Sequence, residues 1–373
     1  MLQQTPIPFL DLRALHEGLK EQLLDEIAEL IDSGAFIIGP QVREFEGAFA
    51  AHAGSEHCVG VASGLDALRL ALLAAGIEQG DEVVVPSMTF VATLEAVSQA
   101  GGRPVIAEVS ELDCNLDPAA AAAAFTPRTR FLLPVHLYGQ LADMRALTSL
   151  AERHGVQIIE DACQAHGAER DGLRAGAVGL AGAFSFYPGK NLGAIGDAGA
   201  LVTDDDGLAA RVRALREHGQ SVKYEHAEPG YTARLDTIQA IALSHKLPLL
   251  DGWNDERRAA ARRYRELLDG IGDLVLPRTA PGSNPVWHLY VVRTGDPAAL
   301  GEFLRERGVQ SGRHYPQPAH LSQAYASLGH RAGAFPVAEA IGAEALSLPL
   351  YPGITEGQQE AVAEAVAAYF SRG

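Results

Sequence analysis

Short apolar runs alternate with amphipathic segments through the first two thirds of the chain. The apolar runs predict strands at 58–62, 82–86, 103–107, 129–135, 156–160, 184–186 and 200–203. Between them, apolar residues recur with helical spacing, which predicts helices at 66–75, 91–99, 118–124 and 144–153. Strands that alternate with helices require right-handed crossovers. The pattern therefore predicts an α/β protein with a mostly parallel sheet, whose functional residues lie beyond the carboxyl ends of the strands.

A different pattern begins near Leu247. The sequence predicts an arginine-rich helix at 253–268, a loop at 277–284, a strand at 288–292 and helices at 297–307 and 356–370. This mixture is typical of an α+β domain. A chain of 373 residues commonly forms two domains, so we predict a large domain at 1–247 and a smaller C-terminal domain at 248–373. The amphipathic helix at 15–31 is assigned to the large domain, although it could instead pack beside the small one.

Composition and charge narrow the class of protein. Hydrophobic residues make up 47% of the chain, and 30 basic against 47 acidic residues leave a net charge of −17, which argues against binding nucleic acid through bulk electrostatics. No uncharged run reaches the length of a membrane span, and the N-terminus lacks the features of a secretion signal. The cysteines, Cys58, Cys114 and Cys163, have no metal-site spacing. We therefore expect a cytoplasmic protein without membrane contact or a structural metal.

Lys190 has the most unusual surroundings in the sequence. It follows an apolar stretch at 181–186 and a Pro-Gly turn, and small or apolar residues come after it. Loss of hydration there lowers the pKa of the amine, which favours attack on a carbonyl to form a Schiff base. The more common interpretation of such a position is a lysine that covers a loop after a strand. Other parts of the chain favour the reactive lysine.

Two further strand ends carry residues with related chemistry. Gly64 and Leu65 begin a helix after the first predicted strand, and free amides at a helix start bind anions such as phosphate. The Gly-x-Gly-x-x-Gly pattern of nicotinamide-dependent enzymes is absent. The fifth predicted strand ends near Asp161, whose carboxylate could keep a pyridine nitrogen protonated or could cap the following helix.

Ser185 and Phe90 complete this group. The Ser185 hydroxyl can donate to a phosphate, although a strand serine often bonds across the sheet. Phe90 can stack on a flat ring, although a single phenylalanine usually lies in the core. Together with Lys190 and Asp161, these residues predict a site for pyridoxal 5'-phosphate.

The chain also resembles a known family over nearly its whole length: the DegT/DnrJ/StrS aminotransferases, which use pyridoxal phosphate and act on nucleotide sugars. The most specific matches are the segment around Lys190 and Glu160-Asp161 with Gln164-Ala165-His166-Gly167. Supporting matches lie at 37–40, 45–46, 80–83, 86–93, 234–236, 239–240, 287–290, 314–316 and 346–349. The resemblance implies fold type I, a three-layer sandwich around a mostly parallel sheet, and a homodimer with active sites at its interface.

The resemblance implies a role for each matching residue. Lys190 would hold the cofactor as a Schiff base and move the proton in catalysis, and Asp161 would pair with the pyridine nitrogen. Gln164 would bond near the phenolic oxygen of the ring, and Phe90 would stack on its face. The phosphate would be held by the amides of Gly64 and Leu65 and the hydroxyl of Ser185.

Two positions depart from the pattern of the family. Leu65 stands where many members have threonine, so the amide is kept and a hydroxyl donor is lost. Thr232 stands where many have an asparagine that reaches the phosphate of the neighbouring subunit, so its shorter side chain weakens that contact or makes it through water. Neither departure changes the chemistry at Lys190.

Substrate residues are indicated less specifically. Four lie in segments that face the sugar in relatives: Tyr187, Tyr231, His314 and Tyr315. His314 could be a helper acid or could simply be hydrogen-bonded in the core. Tyr224 and His226 lie in a variable stretch that could approach the nucleotide.

We therefore expect an aminotransferase that moves an amino group from L-glutamate or glutamine to a keto carbon of a nucleotide-linked deoxysugar, with ping-pong kinetics. The resemblance favours a dTDP-linked 3-keto-6-deoxysugar. Two alternatives stay open: an aminotransferase of a cyclic ketone such as an inosose, and a non-catalytic regulatory or binding protein with the same fold. Related pyridoxamine-dependent sugar dehydratases have histidine at the lysine position, so Lys190 argues against that activity.

Overall fold

The computed structural model describes residues 6–372. The prediction that the N-terminus lacks a secretion signal rests partly on residues 1–5, which lie outside this range. The helices are α1 Ala14–Glu17, α2 Lys20–Ser33, α3 Pro40–Ala53, α4 Gly64–Ala74, α5 Ala92–Gln99, α6 Pro118–Ala124, α7 Met144–His154, α8 Asp206–Leu215, α9 Thr237–Lys246, α10 Leu250–Leu268, α11 Pro297–Glu306, α12 Pro336–Glu344 and α13 Glu356–Phe370.

The strands include all the predicted ones together with several short ones. They are β1 His57–Val61, β2 Glu82–Pro86, β3 Arg103–Ala107, β4 Thr129–Leu132, β5 Gln157–Asp161, β6 Glu169–Arg170, β7 Leu173–Arg174, β8 Ala181–Ser185, β9 Gly199–Thr203, β10 Gln220–Val222, β11 Glu225–His226, β12 Ser283–Asn284, β13 Tyr290–Arg293 and β14 Ala345–Leu348. Strand β4 ends earlier than predicted, because Pro134 lacks the amide that a ladder requires.

Seven strands form the central sheet in the order β1-β9-β8-β5-β4-β2-β3. The pairs from β8 through β5, β4 and β2 to β3 are parallel, whereas β9 is antiparallel to both of its neighbours. The prediction of a mostly parallel sheet is therefore confirmed. The carboxyl ends of the parallel strands meet at one edge, where the neighbouring strands β5 and β8 end with Asp161 and Ser185.

Each face of the sheet carries its own hydrophobic core. In β2, Val84 packs into one core, and Val83 and Val85 pack into the other. Ile158 and Ile159 of β5 divide in the same way, because successive side chains of a strand point to opposite faces. Helices cover both faces: α3 packs beside β1 on one side, and α4 packs across β8 and β9 on the other. The result is the predicted three-layer α/β sandwich.

The amphipathic segment predicted at 15–31 forms two helices, α1 and α2, separated at Gly18 and Leu19. Leu23 and Leu30 of α2 pack against α9 in a small separate cluster. The alternative that this helix packs beside the C-terminal part is therefore wrong, because its apolar stripe is already covered by α9.

The C-terminal part has a third core, built from α10, α11, α13 and the antiparallel pair β13–β14. Ile7 joins this core and pairs with Val309, so the first described residues pack with the C-terminal part. The domain boundary at 247 and 248 stays a prediction. Among residues 6–372, no helix combines the length and the apolar character needed to cross a membrane.

Candidate active site

A cavity of about 680 Å³ opens at the carboxyl edge of the sheet, between the strand ends and the C-terminal part. Residues from the start of α4, the end of β5, the loop after β8 and the segments around 288 and 314 line it. Ten residues predicted from the sequence lie on its wall: Gly64, Leu65, Phe90, Asp161, Gln164, Ser185, Tyr187, Lys190, His314 and Tyr315. The fold thus brings together residues from the first and the last quarter of the chain.

Lys190 faces this cavity from the loop that follows β8. Its backbone amide donates to the carbonyl oxygen of Tyr187 at 2.8 Å, which closes the Pro-Gly turn. The side chain is half-buried, and no acceptor for its Nζ lies among the described residues. Burial lowers the pKa of the Lys190 amine. The neutral, nucleophilic amine is therefore easier to form here than on an exposed lysine.

The loop that carries Lys190 is held from behind by two helices. Lys246 of α9 is buried, and its Nζ donates to the carbonyl oxygen of Gly193 at 2.6 Å. Asn191 donates through Nδ2 to Oδ1 of Asn254 in α10 and to the carbonyl oxygen of Val286, both at 2.9 Å. These bonds fix the position of the Lys190 backbone relative to both parts of the chain.

Asp161 is the last residue of β5 and is almost fully buried. Its Oδ2 accepts a hydrogen bond from the hydroxyl of Thr93 at 2.8 Å, and its Oδ1 accepts one from the amide of Cys163 at 3.2 Å. No regular helix follows within residues 162–168, so the alternative role as a helix cap is wrong. The two bonds aim a carboxylate into the cavity.

The start of α4 presents unpaired amides to the cavity. The Ser63 hydroxyl caps this helix by accepting from the amide of Asp66 at 3.1 Å, and the amides of Gly64 and Leu65 have no acceptor among the described residues. A Cβ on Gly64 would lie 2.6 Å from Sγ of Cys163 and 2.7 Å from Cβ of Ser185. Only glycine therefore allows this helix start to approach the end of β8, which places the Ser185 hydroxyl beside the free amides.

Gln164, Tyr315 and Phe90 form a connected side wall. Oε1 of Gln164 accepts from the amide of Tyr138 at 2.8 Å, and its Nε2 donates to the hydroxyl of Tyr315 at 3.1 Å. Burial raises the pKa of Tyr315, so its phenol stays protonated. The Phe90 ring lies 5.5 Å from the Tyr315 ring and is 51% exposed, so one of its faces is available to the cavity.

His314 lies on the wall formed by the C-terminal part. Its Nδ1 bonds to the hydroxyl of Ser347 at 2.8 Å, and its ring stacks on Phe9. Burial and the charge of Lys190 lower the pKa of His314 to about 4, so the ring is neutral near pH 7. These contacts favour the interpretation of His314 as a bonded wall residue over that of a helper acid.

Four residues that the sequence indicated lie away from the cavity of this chain. The Tyr231 ring is covered by the guanidinium of Arg69, 4.2 Å from the ring centroid. Thr232 is exposed and bonds to Nε2 of His218 at 3.2 Å. Tyr224 and His226 are exposed in or beside the short β10–β11 hairpin. If these four residues contribute to an active site, it is therefore the active site of a neighbouring subunit.

The sequence analysis did not identify His288 and Arg257, which line the cavity, or Thr93, which donates to Asp161. Thr93 lies within a matching segment, but nothing in the pattern pairs it with Asp161. Arg257 could have been found, because it occupies the same stripe of α10 as the buried residues Ala261, Tyr264 and Leu268. A charged residue on an apolar stripe signals a buried and functional position.

Comparison with known proteins agrees with this geometry. The family model described as "DegT/DnrJ/EryC1/StrS aminotransferase family" matches residues 17–367. A dTDP-3-amino-3,4,6-trideoxy-alpha-D-glucose transaminase of Streptomyces venezuelae is 49% identical over 370 residues, which cover 99% of this chain and 98% of that protein.

Two solved structures extend the comparison. The crystal structure of S. venezuelae DesV in complex with a ketimine intermediate matches with a TM-score of 0.97 at 48% identity, covering 99% of this chain and 100% of that one. The structure of NtdA from Bacillus subtilis with bound cofactor PMP matches with a TM-score of 0.92 at 31% identity, covering 99% and 86%. The chain therefore belongs to the DegT/DnrJ/EryC1/StrS family and is an aminotransferase.

Proposed function

We propose that this enzyme transfers the amino group of L-glutamate to the keto carbon of a dTDP-linked 3-keto-6-deoxysugar. The observation that carries the proposal is one cavity that contains Lys190, the buried carboxylate of Asp161 and the free amides at the start of α4. The 49% identical relative named as a transaminase of a dTDP-linked amino sugar supports this substrate class.

The cavity fits pyridoxal 5'-phosphate. The amides of Gly64 and Leu65 and the hydroxyl of Ser185 form a cup for the phosphate, and the absence of a side chain at Gly64 keeps that cup open. Asp161 supplies a carboxylate for the pyridine nitrogen, Gln164 an amide for the phenolic oxygen and Phe90 a stacking face. When bound, the cofactor supplies an electron sink for the reacting carbon.

Residues of this chain carry out the proton transfers. The pKa of Lys190 is lowered, so its Nζ can accept the proton that leaves the α-carbon of the donor. The same amine then donates this proton at the other end of the 1,3-proton shift. Asp161 stays in place because Thr93 and the Cys163 amide both donate to it. The keto acid formed from the donor leaves before the ketosugar enters the same cavity, so kinetics are ping-pong. Tyr187, His314 and Tyr315 shape the space for the sugar.

We further propose a homodimer whose interface covers the mouth of this cavity. Tyr187 and Ile195, on either side of Lys190 in the sequence, are 59% and 41% exposed. Exposed apolar side chains grouped near a site favour a protein interface. In the dimer, Tyr231 and Thr232 of one subunit would approach the phosphate and sugar of the other, and Tyr224 and His226 would lie near the nucleotide.

The domain division and the compartment belong to the same proposal. The boundary at 247 and 248 falls in the short turn Leu247–Leu249 between α9 and α10. Leu250 still packs in a core of the sheet, and α10 joins the third core from Ala260 onward. Cys58, Cys114 and Cys163 are all free thiols, which supports a reducing compartment such as the cytoplasm.

The absorbance spectrum of the purified protein, recorded before and after L-glutamate, tests the function. We expect a visible cofactor band that moves to the shorter wavelength of the pyridoxamine form, and restoration of the band by a dTDP-linked 3-ketosugar. Restoration by an inosose alone would assign the enzyme to cyclic ketones. A bound cofactor that does not respond to any amino donor would support the non-catalytic alternative.

A further inference from the structure

One buried guanidinium in the cavity wall lacks a counter-charge. Arg257 of α10 is 1% exposed and lines the cavity that Lys190 faces. Within residues 6–372, no carboxylate forms an ion pair with it. The acid that acts on its charge is Glu256, an exposed neighbour that already accepts from the amide of Gly353 at 2.8 Å. A buried charge without a partner is costly, so the counter-charge is expected from a ligand.

The hydrogen bonds of Arg257 leave one edge of its guanidinium without a partner among the described residues. Nη1 donates to the carbonyl oxygens of Leu350 at 3.0 Å and Trp287 at 3.5 Å, which fixes the plane of the group. Nε is buried without a partner among the described residues. The edge formed by Nε and Nη2 is the edge that binds a carboxylate through two parallel hydrogen bonds.

The groups around Arg257 leave this end of the cavity positive. Burial, followed by the charges of Lys190 and Arg257, holds the pKa of His288 well below its usual value. His166 is lowered to a pKa of about 3 by burial, with contributions from the same two charges. Both rings are therefore neutral near pH 7. Burial lowers the pKa of Arg257 to about 10, which leaves the guanidinium charged at neutral pH.

We propose that Arg257 binds a carboxylate of the amino donor through the Nε–Nη2 edge. The proposal rests on the proposed function, in which the donor is L-glutamate. Arg257 and Lys190 line the same cavity, so a ligand of Arg257 occupies the space that contains the reacting carbon. An amino acid has a carboxylate one bond from that carbon, whereas the phosphates of a nucleotide sugar are separated from the keto carbon by the sugar ring. The ligand is therefore a carboxylate and not a phosphate.

The test separates the two half-reactions of the cofactor-loaded enzyme by stopped-flow absorbance. In Arg257→Met, we expect the L-glutamate concentration for half-saturation to rise by about 100-fold, because a charged two-bond contact is lost. The half-saturating concentration of the ketosugar, measured from the pyridoxamine form, stays within about threefold. Arg257→Lys keeps the positive charge but cannot form two parallel hydrogen bonds to a carboxylate. The L-glutamate concentration for half-saturation should therefore rise by an intermediate amount, about tenfold.

Arg258→Met is the matched control. Arg258 is the next residue of α10 and also donates to a backbone carbonyl, that of Pro285 at 3.0 Å, but it does not line the cavity. It should change neither half-reaction. Equal losses in both half-reactions of Arg257→Met, with a lowered melting temperature, would assign Arg257 a purely structural role and overturn the proposal. A loss confined to the ketosugar half would overturn it as well.

Binding of glutarate, followed as a rise in melting temperature, gives a readout that does not depend on turnover. We expect glutarate to stabilise the wild type and Arg258→Met but not Arg257→Met. If the wild type reacts with glutamate and Arg257→Met still binds both compounds normally, the carboxylate site is wrong and the proposed function stands. If the wild type does not react with glutamate while glutarate binding still requires Arg257, the donor is wrong and the carboxylate site stands.

Discussion

Two lysines, Lys190 and Lys246, lie on opposite sides of one loop, and their surroundings differ. Lys190 is carried by the loop and faces the cavity, whereas Lys246 lies behind the loop and donates to the carbonyl oxygen of Gly193 at 2.6 Å. Burial lowers the pKa of both amines, that of Lys246 to about 8. A lowered pKa therefore does not by itself identify a reactive lysine. Open volume and the lack of an acceptor distinguish Lys190.

The comparison extends to the groups around each amine. Near Lys190, the cavity also holds the Asp161 carboxylate and the free amides of Gly64 and Leu65. Lys246 is enclosed by α9 and the loop, and burial is the cause of its lowered pKa. One lysine thus belongs to a group of converging polar residues, and the other holds the backbone that carries the first. Removing each should separate chemistry from positioning.

The largest effect is expected from Lys190→Ala. The variant loses the amine that moves the proton, so turnover should fall on the order of 10⁴-fold or more. Steady-state assays with L-glutamate and a ketosugar measure this loss. The melting temperature should stay near that of the wild type, because no hydrogen bond of Nζ is lost. Near-normal turnover in this variant would remove Lys190 from the mechanism and erase the distinction from Lys246.

Asp161→Asn should have the next largest effect. The amide lacks the negative charge proposed to face the pyridine nitrogen, so kcat should fall on the order of 10²- to 10³-fold, as when a single electrostatic group is removed. Thr93→Val keeps the carboxylate but removes a 2.8 Å hydrogen bond to it, so kcat should fall less, by about tenfold. If Thr93→Val lost as much as Asp161→Asn, the orientation of the carboxylate would matter more than its charge.

Much of this arrangement could be predicted from the sequence, because local signals agree with the fold. Strands β2 and β3 and helix α6 have the predicted bounds, and α6 begins with Asp117 as its cap and a proline in its first turn. Asp161 follows from the rule that functional groups lie at the carboxyl ends of parallel strands. Each of these features depends on a short stretch of chain whose local structural preference agrees with the structure that its tertiary surroundings favour.

Other features depend on contacts between distant segments, which a single sequence does not encode locally. Lys246 reads as an ordinary residue at the end of a helix, and its bond to Gly193 spans 53 positions. The packing of the 15–31 segment on α9 depends on tertiary contacts as well. Arg257 was visible as a charge on an apolar stripe, but the orientation of its guanidinium depends on hydrogen bonds to Leu350 and Trp287.

Gly64→Ala disturbs the proposed phosphate cup without touching either lysine. The added Cβ would lie 2.6 Å from Sγ of Cys163, so the start of α4 must move away from β8. We expect the affinity for pyridoxal phosphate to fall by about 10- to 100-fold through weaker amide hydrogen bonds, measured by equilibrium dialysis. Gly47→Ala in α3 is the control, because its Cβ meets nothing within 4 Å, and it should leave the affinity unchanged. Unchanged affinity in Gly64→Ala would place the phosphate elsewhere.

The smallest expected effect is the contribution of Lys246 to the pH dependence of the free energy of unfolding. It is also the most direct test of the comparison between the two lysines. The pKa of Lys246 is about 8 in the folded protein, below its ordinary value, so between pH 8 and 10 the unfolded chain holds a proton that the folded protein has released. Stability from this group therefore rises with pH in that window. Relative to Lys246→Met, the wild type should gain about 2 kcal/mol of unfolding free energy between pH 8 and 10.

Urea denaturation at both pH values measures this gain. Lys20→Met serves as the control, because it removes the same charge from an exposed position of α2 and should leave the difference from the wild type constant across the window. Turnover of Lys246→Met should fall by no more than about tenfold, since the contact it loses supports the loop and not the chemistry. Identical pH slopes in the wild type and Lys246→Met would mean that the Gly193 carbonyl compensates for burial, and the two lysines would then differ in pKa as well as in their access to the cavity.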